Sequence, residues 1–276
     1  MSVRSRRMMR FAIASYVASG PSYDAEASAY ITAAGITLAA AKTAINDFIV
    51  GVKADFVITL LSEVFDQLVL QANESAAAAV VDMCGRINQT LVNSPTFTQW
   101  QGVTSAIGKY IDSGFNPTTG GSKFTLNSHT FGTFFRAPTS GGASNSMGSL
   151  NVGFTGWQIW LNDGGGNFLG SDGNNGSNLS PTTGGTQTGL LSVSRTASNA
   201  TAFYQGGTSK ATATWGASIG LLNQNFYIAG RNYNGSIDNA AVGTQAALSY
   251  FARGMTSGEM AAFGARVATL QAAIGW

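Results

Sequence analysis

The chain has 276 residues, 44% of them hydrophobic and only 10% charged, with a formal net charge of +2. That length suits one or two domains with a sizeable core, and the composition excludes charge-driven disorder. The small net charge argues against a nucleic-acid coat or a polybasic membrane binder, the single cysteine (Cys84) excludes an intramolecular disulfide or a cysteine-rich zinc site, and the single histidine (His129) excludes any site needing two.

Residues 1–20 carry Arg4, Arg6, Arg7 and Arg10 and read as a basic, flexible arm. Two alternatives stay open. One is an export signal, since residues 11–18 are apolar but interrupted by Ser15 and Tyr16. The other is an arm that orders on threading into a partner protein. No run of 18 uncharged apolar residues follows, so no membrane span is expected.

Residues 21–94 read as a helical attachment and oligomerisation module. Ser22 or Asp24 can cap a helix over 25–34 that ends at Gly35. Thr37 can cap a second, whose Ala41, Ile45, Phe48, Ile49 and Val52 recur at spacings of three and four. Helical patterning continues through Phe56, Leu60, Leu61, Val64 and Leu68, and again over 74–91. Short helices with so wide an apolar face need a cover, which predicts a homo-oligomer or packing on the second domain.

Only four of the 35 glycines precede residue 101, and this shift places a boundary near Asn93–Pro95. Residues 95–276 then read as strands separated by glycine turns, with runs at 123–136, 149–152, 155–161, 189–196, 201–205, 208–215, 225–231 and 248–253. Alternation puts Trp157, Ile159 and Leu161 on one face and Gln158 and Trp160 on the other. Many short strands without intervening helices indicate an antiparallel sandwich or barrel. The chain closes on a helix opened by the capping box Thr256–Glu259, with Met260, Phe263, Val267, Leu270 and Ile274 as its apolar seam. That seam lies on the sandwich or forms a subunit contact. The echoed loops at 116–121 and 180–185 are surface turns.

Candidate sites are few. The glycine-rich stretch 162–178 offers Asp163, Asn167, Asp172, Asn174 and Asn175 as calcium ligands, but off the calcium-loop spacing. Paired-carboxylate hydrolysis could draw only on Asp112, Asp163, Asp172, Asp238 and Glu259, the last committed to capping. His129 has no neighbouring acid or thiol in sequence and reads as structural. Gly164–Gly166 lack the Lys-Ser or Lys-Thr of a phosphate loop. Trp160 and Tyr233 suit stacking on sugar rings or covering a sheet face. No catalytic residue, cofactor site or metal site is assigned.

Several segments resemble a group of tailed-bacteriophage virion proteins that join a small helical module to a concanavalin A-like (laminin-G-like) jelly roll. These are Tyr30-Ile31-Thr32-Ala33-Ala34-Gly35-Ile36-Thr37, Ala44-Ile45-Asn46 and Val50-Gly51-Val52-Lys53-Ala54-Asp55. Tyr110-Ile111-Asp112-Ser113-Gly114-Phe115-Asn116-Pro117, Tyr227-Ile228-Ala229-Gly230-Arg231-Asn232, Gly235-Ser236 and the closing helix with Thr256, Glu259 and Met260 extend it. The chain departs from the family between Phe56 and Val92, where an alanine-rich stretch replaces a Trp- and Pro-containing one. The resemblance implies a mainly β fold: an antiparallel jelly-roll sandwich with a helical N-terminal module and a C-terminal helix. It also implies a non-enzymatic protein located in the virion, a fibre, spike or tail-associated component partnered by other virion proteins. A homo-oligomer, a trimer in preference to a dimer, and a host surface glycan are the further partners expected. No specific nucleic acid, membrane or cofactor is expected. The alternatives are a head (capsid) decoration protein and a carbohydrate-binding lectin module.

Overall fold

The computed structural model describes residues 22–136, 143–153, 156–162, 169–173, 178–180, 187–216 and 218–276, so the arm at 1–20 lies outside it. Helix α1 (Ala25–Ala33) starts on Asp24, whose carboxylate accepts the N–H groups of Glu26 and Ala27. Helix α2 (Ala39–Phe56) buries Ala41, Ile45, Phe48, Ile49 and Val52, as their spacing predicts. Thr37 is not its side-chain cap. The distant carboxylate of Glu74 instead accepts the N–H groups of Thr37 and Leu38, at 2.6 and 3.2 Å.

Beyond α2 the helical expectation fails. Val57 turns left-handed at φ +53°, and residues 65–70 form strand β1 (Phe65–Leu70), with all six residues buried. A run buried on both faces carries no period-two signal, so it reads as readily as helix. The stretch 74–91 is also not helical, apart from a short 3-10 turn at Ala78–Val80. The Asp82 carboxylate fixes it by accepting four backbone N–H groups, from Leu68, Cys84, Arg86 and Ile87. Burial pushes the Asp82 carboxyl above its usual pKa, and these donors work against that shift.

The remaining strands are β2 (Thr90–Val92), β3 (Thr96–Thr98), β4 (Gly102–Thr104), β5 (Tyr110–Asp112), β6 (His129–Phe135), β7 (Ser144–Leu150), β8 (Gly156–Asn162), β9 (Leu169–Asp172) and β10 (Gly189–Ala197). They continue as β11 (Ala200–Gln205), β12 (Thr208–Ala213), β13 (Tyr227–Ile228), β14 (Arg231–Tyr233), β15 (Ser236–Asp238) and β16 (Gln245–Ala252), before helix α3 (Ser257–Ile274). The long strand expected from residue 123 begins only at His129. The Asp66 carboxylate holds the N–H groups of Ser122, Lys123 and Phe124 in a loop.

Among the described residues the strands form two sheets. Sheet A runs β12-β11-β10-β6-β16-β4-β3, with β1 also on β16, and sheet B runs β15-β14-β7-β13-β5-β2, with β8 on β7 and β9 on β8. Pairing is antiparallel except between β14 and β7. One apolar core, including Phe115, Phe131, Trp157, Phe226 and Phe251, fills the space between the sheets. A second joins the outer face of sheet A to the helices through Phe48, Phe65, Tyr250, Phe263 and Val267, and contains no residue of a sheet B strand. The molecule is therefore mainly β: an antiparallel jelly-roll sandwich with helices layered on one face. The α3 seam lies on the sandwich, and Thr256 and Glu259 form the expected capping box. No helix among the described residues is long and apolar enough to cross a membrane.

One expectation needs correction, and of the two covers expected for the helices, the structure shows packing on the sandwich. The chain does not divide near 93–95, because β1 and β2 precede that point yet belong to sheets A and B. The apolar surface that argued for a homo-oligomer is covered within the chain: Ile45, Phe48, Ile49, Phe56, Leu61, Val64 and Leu68 are all buried, and only Leu60 is exposed. The missing second layer is sheet A with α3.

Two outcomes check this architecture. Phe263→Ala should lower stability by about 3–5 kcal/mol in urea unfolding, because its ring lies 4.9 Å from Tyr250 and 5.5 Å from Phe65. Removing residues 1–92 should abolish cooperative unfolding by circular dichroism, because it strips β1 from β16 and uncovers Tyr250 and Phe263.

Candidate functional site

Alternation in β8 has a consequence on the outer face of sheet B. Trp157, Ile159 and Leu161 are fully buried in the inter-sheet core, so Gln158 and Trp160 project the other way. Arg231 and Tyr233, two residues apart on β14, share a face, with Arg231 opposite Asp238 of β15. Arg231 reaches Gln158 across β7, and Gly148 makes the crossing possible. A Cβ there would lie 2.9 Å from that of Gln158 and 3.0 Å from that of Arg231.

The Arg231 guanidinium is held on two sides. Nε and Nη2 donate to Asp238 Oδ2 at 3.0 and 2.6 Å, and Nη1 donates to Gln158 Oε1 at 3.0 Å. It sits 5.0 Å from the ring centre of Trp160 and 5.8 Å from that of Tyr233, within cation–π range. Asn145 Nδ2 also donates to Gln158 Oε1, and its buried Oδ1 has no partner among the described residues. Trp160, Arg231, Tyr233 and Asp238 are all partly exposed. The result is a charge-balanced patch with two aromatic rings, cationic N–H donors and a carboxylate acceptor. Such a surface can stack the C–H face of a ring and hydrogen-bond its hydroxyls.

Sequence reasoning named Trp160 and Tyr233, and the structure brings them together around one guanidinium. It missed the roles of Arg231, Gln158, Asp238 and Gly148. Alternation placed Gln158 beside Trp160, but only the sheet pairing brings β14 and β15 to them.

The other candidates are dispersed. Of the calcium ligands, Asp163, Asn167, Asn174 and Asn175 lie outside the described residues, as do Gly164–Gly166. Asp172 is fully buried and forms an ion pair with Arg195 Nε at 2.7 Å, with Thr201 also donating to it. Burial pushes its carboxyl upward, against the pull of Arg195. The same guanidinium also donates to the carbonyls of Ser198 and Gly216, clamping β9 of sheet B to β10 of sheet A. Asp112 accepts from Asn225 and the Gly114 N–H, and Glu259 is bound to Arg253 besides its capping role. Among the described residues no group of three His, Cys, Asp or Glu side chains is placed to hold a metal. Burial pushes the Cys84 thiol well up, away from a reactive thiolate.

His129 is a core residue. Its Nδ1 faces the Thr125 carbonyl at 2.8 Å and its Nε2 accepts the Trp157 indole N–H at 3.0 Å, which fixes the neutral Nδ1–H tautomer. Phe124 stacks on the ring at 4.5 Å.

No protein-family model matches the chain, and no curated protein matches it. Solved structures similar to it include a Trypanosoma rangeli sialidase mutant displaying trans-sialidase activity. The two share 14% identity over 74% of this chain and 33% of the sialidase, with a TM-score of 0.54. The chain thus spans about a third of that relative's length. The botulinum neurotoxin serotype D binding domain (13% identity, 73% of this chain and 51% of that one, TM-score 0.46) is another. So is the Ruminococcus gnavus IT-sialidase CBM40 (14%, 50% and 83%, TM-score 0.38). At these identities the sialidase match supports the β-sandwich fold class and nothing finer.

Burial lowers the His129 pKa from 6.5 to about 3, so folding favours the neutral ring. Its contribution is complete above pH 6.5 and is lost as pH falls towards 3, at up to about 1.4 kcal/mol per pH unit. Asp82 and Asp172, shifted upward, act with the opposite sign, so the readout is a difference. Between pH 6.5 and 5 the urea midpoint of the wild type should fall more steeply than that of His129→Gln, which should be less stable overall.

Proposed function

We propose that the protein is a non-enzymatic structural component of a tailed-bacteriophage virion, a fibre, spike or tail-associated part, whose sandwich turns the outer face of sheet B towards glycans on the host surface. The observation that carries the glycan reading is the Trp160–Arg231–Tyr233 cluster. It combines two partly exposed rings with a fixed donor and acceptor on the sheet face that the helices leave free. The virion assignment rests on the resemblance in the helical module, the 110–117 and 227–236 segments and the closing helix. The non-enzymatic reading is supported by the engagement of the described carboxylates of the second half. Asp112, Asp172, Asp238 and Glu259 each hold a structural hydrogen bond or ion pair, on different elements.

The test is a glycan array probed with the full chain, beside Trp160→Ala and Gly148→Val. At least one glycan should bind the wild type. Loss of the ring should weaken that glycan about five- to tenfold, taking stacking at about 1–1.5 kcal/mol. The valine should weaken it by displacing Arg231. Failure of every glycan to bind the wild type sinks the glycan reading. Immunogold labelling of intact virions tests the location independently: label on the tail or fibres supports it, and label on the head overturns it in favour of capsid decoration.

A further inference from the structure

The outer face of sheet B continues past the Trp160 cluster. Sheet pairing sets Gln158 of β8, Gly148 of β7, Tyr227 of β13 and Asp112 of β5 side by side in one row. Their chain neighbours Ile159, Met147, Ile228 and Ile111 lie in the inter-sheet core, so the row faces outward. Tyr110, two residues before Asp112, shares that face, and its ring centre lies 4.4 Å from that of Tyr227 at an interplanar angle of 36°. The Tyr227 hydroxyl donates to the Gly235 carbonyl at 3.3 Å, which ties this ring pair to the turn that follows Tyr233. The two aromatic groups are thus fixed to one another as parts of one strip.

The far end of the strip repeats the chemistry of the near end. The Tyr110 ring is partly exposed, and Asp112 beside it is held in place, since its Oδ1 accepts from Asn225 Nδ2 at 3.0 Å and from the Gly114 N–H at 2.9 Å. Trp160 and Tyr233 stand likewise near Asp238, which Arg231 holds at 2.6 Å. Each end therefore pairs a partly exposed ring with a fixed carboxylate. Those are the features that stack the C–H face of a sugar and accept its hydroxyls. Tyr227, only 6% exposed, fills the middle and keeps the strip continuous. Neighbouring strands lie about 4.8 Å apart, so the three steps from β8 to β5 span ~14 Å. One pyranose ring does not cover both ends, whereas a chain of rings laid across the strands does.

We propose that this face is an extended binding strip for a linear oligosaccharide, with one ring seated at Trp160 and Tyr233 and a later ring of the same chain seated at Tyr110. The proposal rests on the glycan reading of the Trp160 cluster and adds to it the length of the ligand and its second point of contact.

The experiment is an array that prints each glycan sequence as a series from one ring to six, probed with the full chain. It carries cello-, malto-, manno- and chito-oligosaccharides and fragments of bacterial surface polysaccharides. In at least one series affinity should rise about tenfold from the single ring to the longer members. Tyr110→Ala should weaken the longer members about fivefold and leave the single ring unchanged. Tyr110→Trp, which restores a flat ring, should keep the gain with length, and Trp160→Ala should weaken every length. If Tyr110→Ala fails to fold by thermal melting, Tyr110→Leu decides, because it keeps an apolar contact on Tyr227 without the flat ring. The proposal is overturned if single rings bind as well as the longest chains, or if the longer chains withstand the loss of the Tyr110 ring. In either case binding that still requires Trp160 leaves the glycan reading standing. If no series binds the wild type, the proposal and that reading fall together.

Discussion

The central strands of sheet A are buried on both faces, and that constraint shapes the rest of the molecule. Every residue of β1 and β6, and nearly every one of β16, is inaccessible. Water cannot reach the polar groups of such strands, so each needs a partner inside the protein. Thr133 donates to the Leu248 carbonyl, Thr130 pairs with Ser194, and Tyr250 donates across β6 to Ser192 at 2.6 Å. The last bond requires Gly132, since a Cβ there would lie 2.6 Å from both the Tyr250 ring and the Ser192 hydroxyl. Where β1 joins the sheet, Gln67, Gln71, Gln89 and Ser249 bond one another in a buried seam, and among the described residues Gln71 Oε1 lacks a partner. Buried side-chain networks of this kind rigidify a core when satisfied and are costly when broken.

Covering sheet A with all three helices leaves the outer face of sheet B for other work. The two sheets use the same device on opposite sides of the sandwich. Gly132 lets a tyrosine cross a strand to reach a serine in the core, and Gly148 lets an arginine cross a strand to reach a buried glutamine on the outer face of sheet B. The first locks the helix-facing layer. The second assembles a half-exposed aromatic and polar patch whose charges already balance. The Asp172–Arg195 clamp ties the sheets together behind that patch. Removing one member of a pair so deeply buried would leave the other charge uncompensated, at a cost of about 3–5 kcal/mol.

Much of this architecture was legible in residue patterns. Period-two alternation in β8 and the apolar seam of α3 both predicted the buried faces correctly, because each element has one wet face and one dry face. The same logic failed at residues 65–70. Phe-Asp-Gln-Leu-Val-Leu mixes polar and apolar residues on both faces, and Asp66 and Gln67 are buried because loops at 122–124 and 87 and the residue Ser113 meet them. The alanine-rich stretch that follows looked helical, but it is bent into turns by a carboxylate at Asp82 that gathers four backbone N–H groups. Helix propensity amounts to tenths of a kilocalorie per residue and yields to such tertiary bonds.

The sequence by itself determined the class of structure, the identity of the first two helices and the last, the faces of the longer strands, and the two aromatic side chains of the sheet B patch. These are local properties, set by spacing, capping and turn chemistry within a dozen residues. Only the tertiary structure decided that the N-terminal segment supplies a strand to the sandwich, that α2 is covered by α3 and sheet A, and that Trp160 meets Arg231, Tyr233 and Asp238. Those outcomes depend on pairings between residues separated by tens to nearly two hundred positions, such as β1 with β16 and β8 through β7 to β14. The order of strands in a sheet leaves no periodic trace in the chain that forms it.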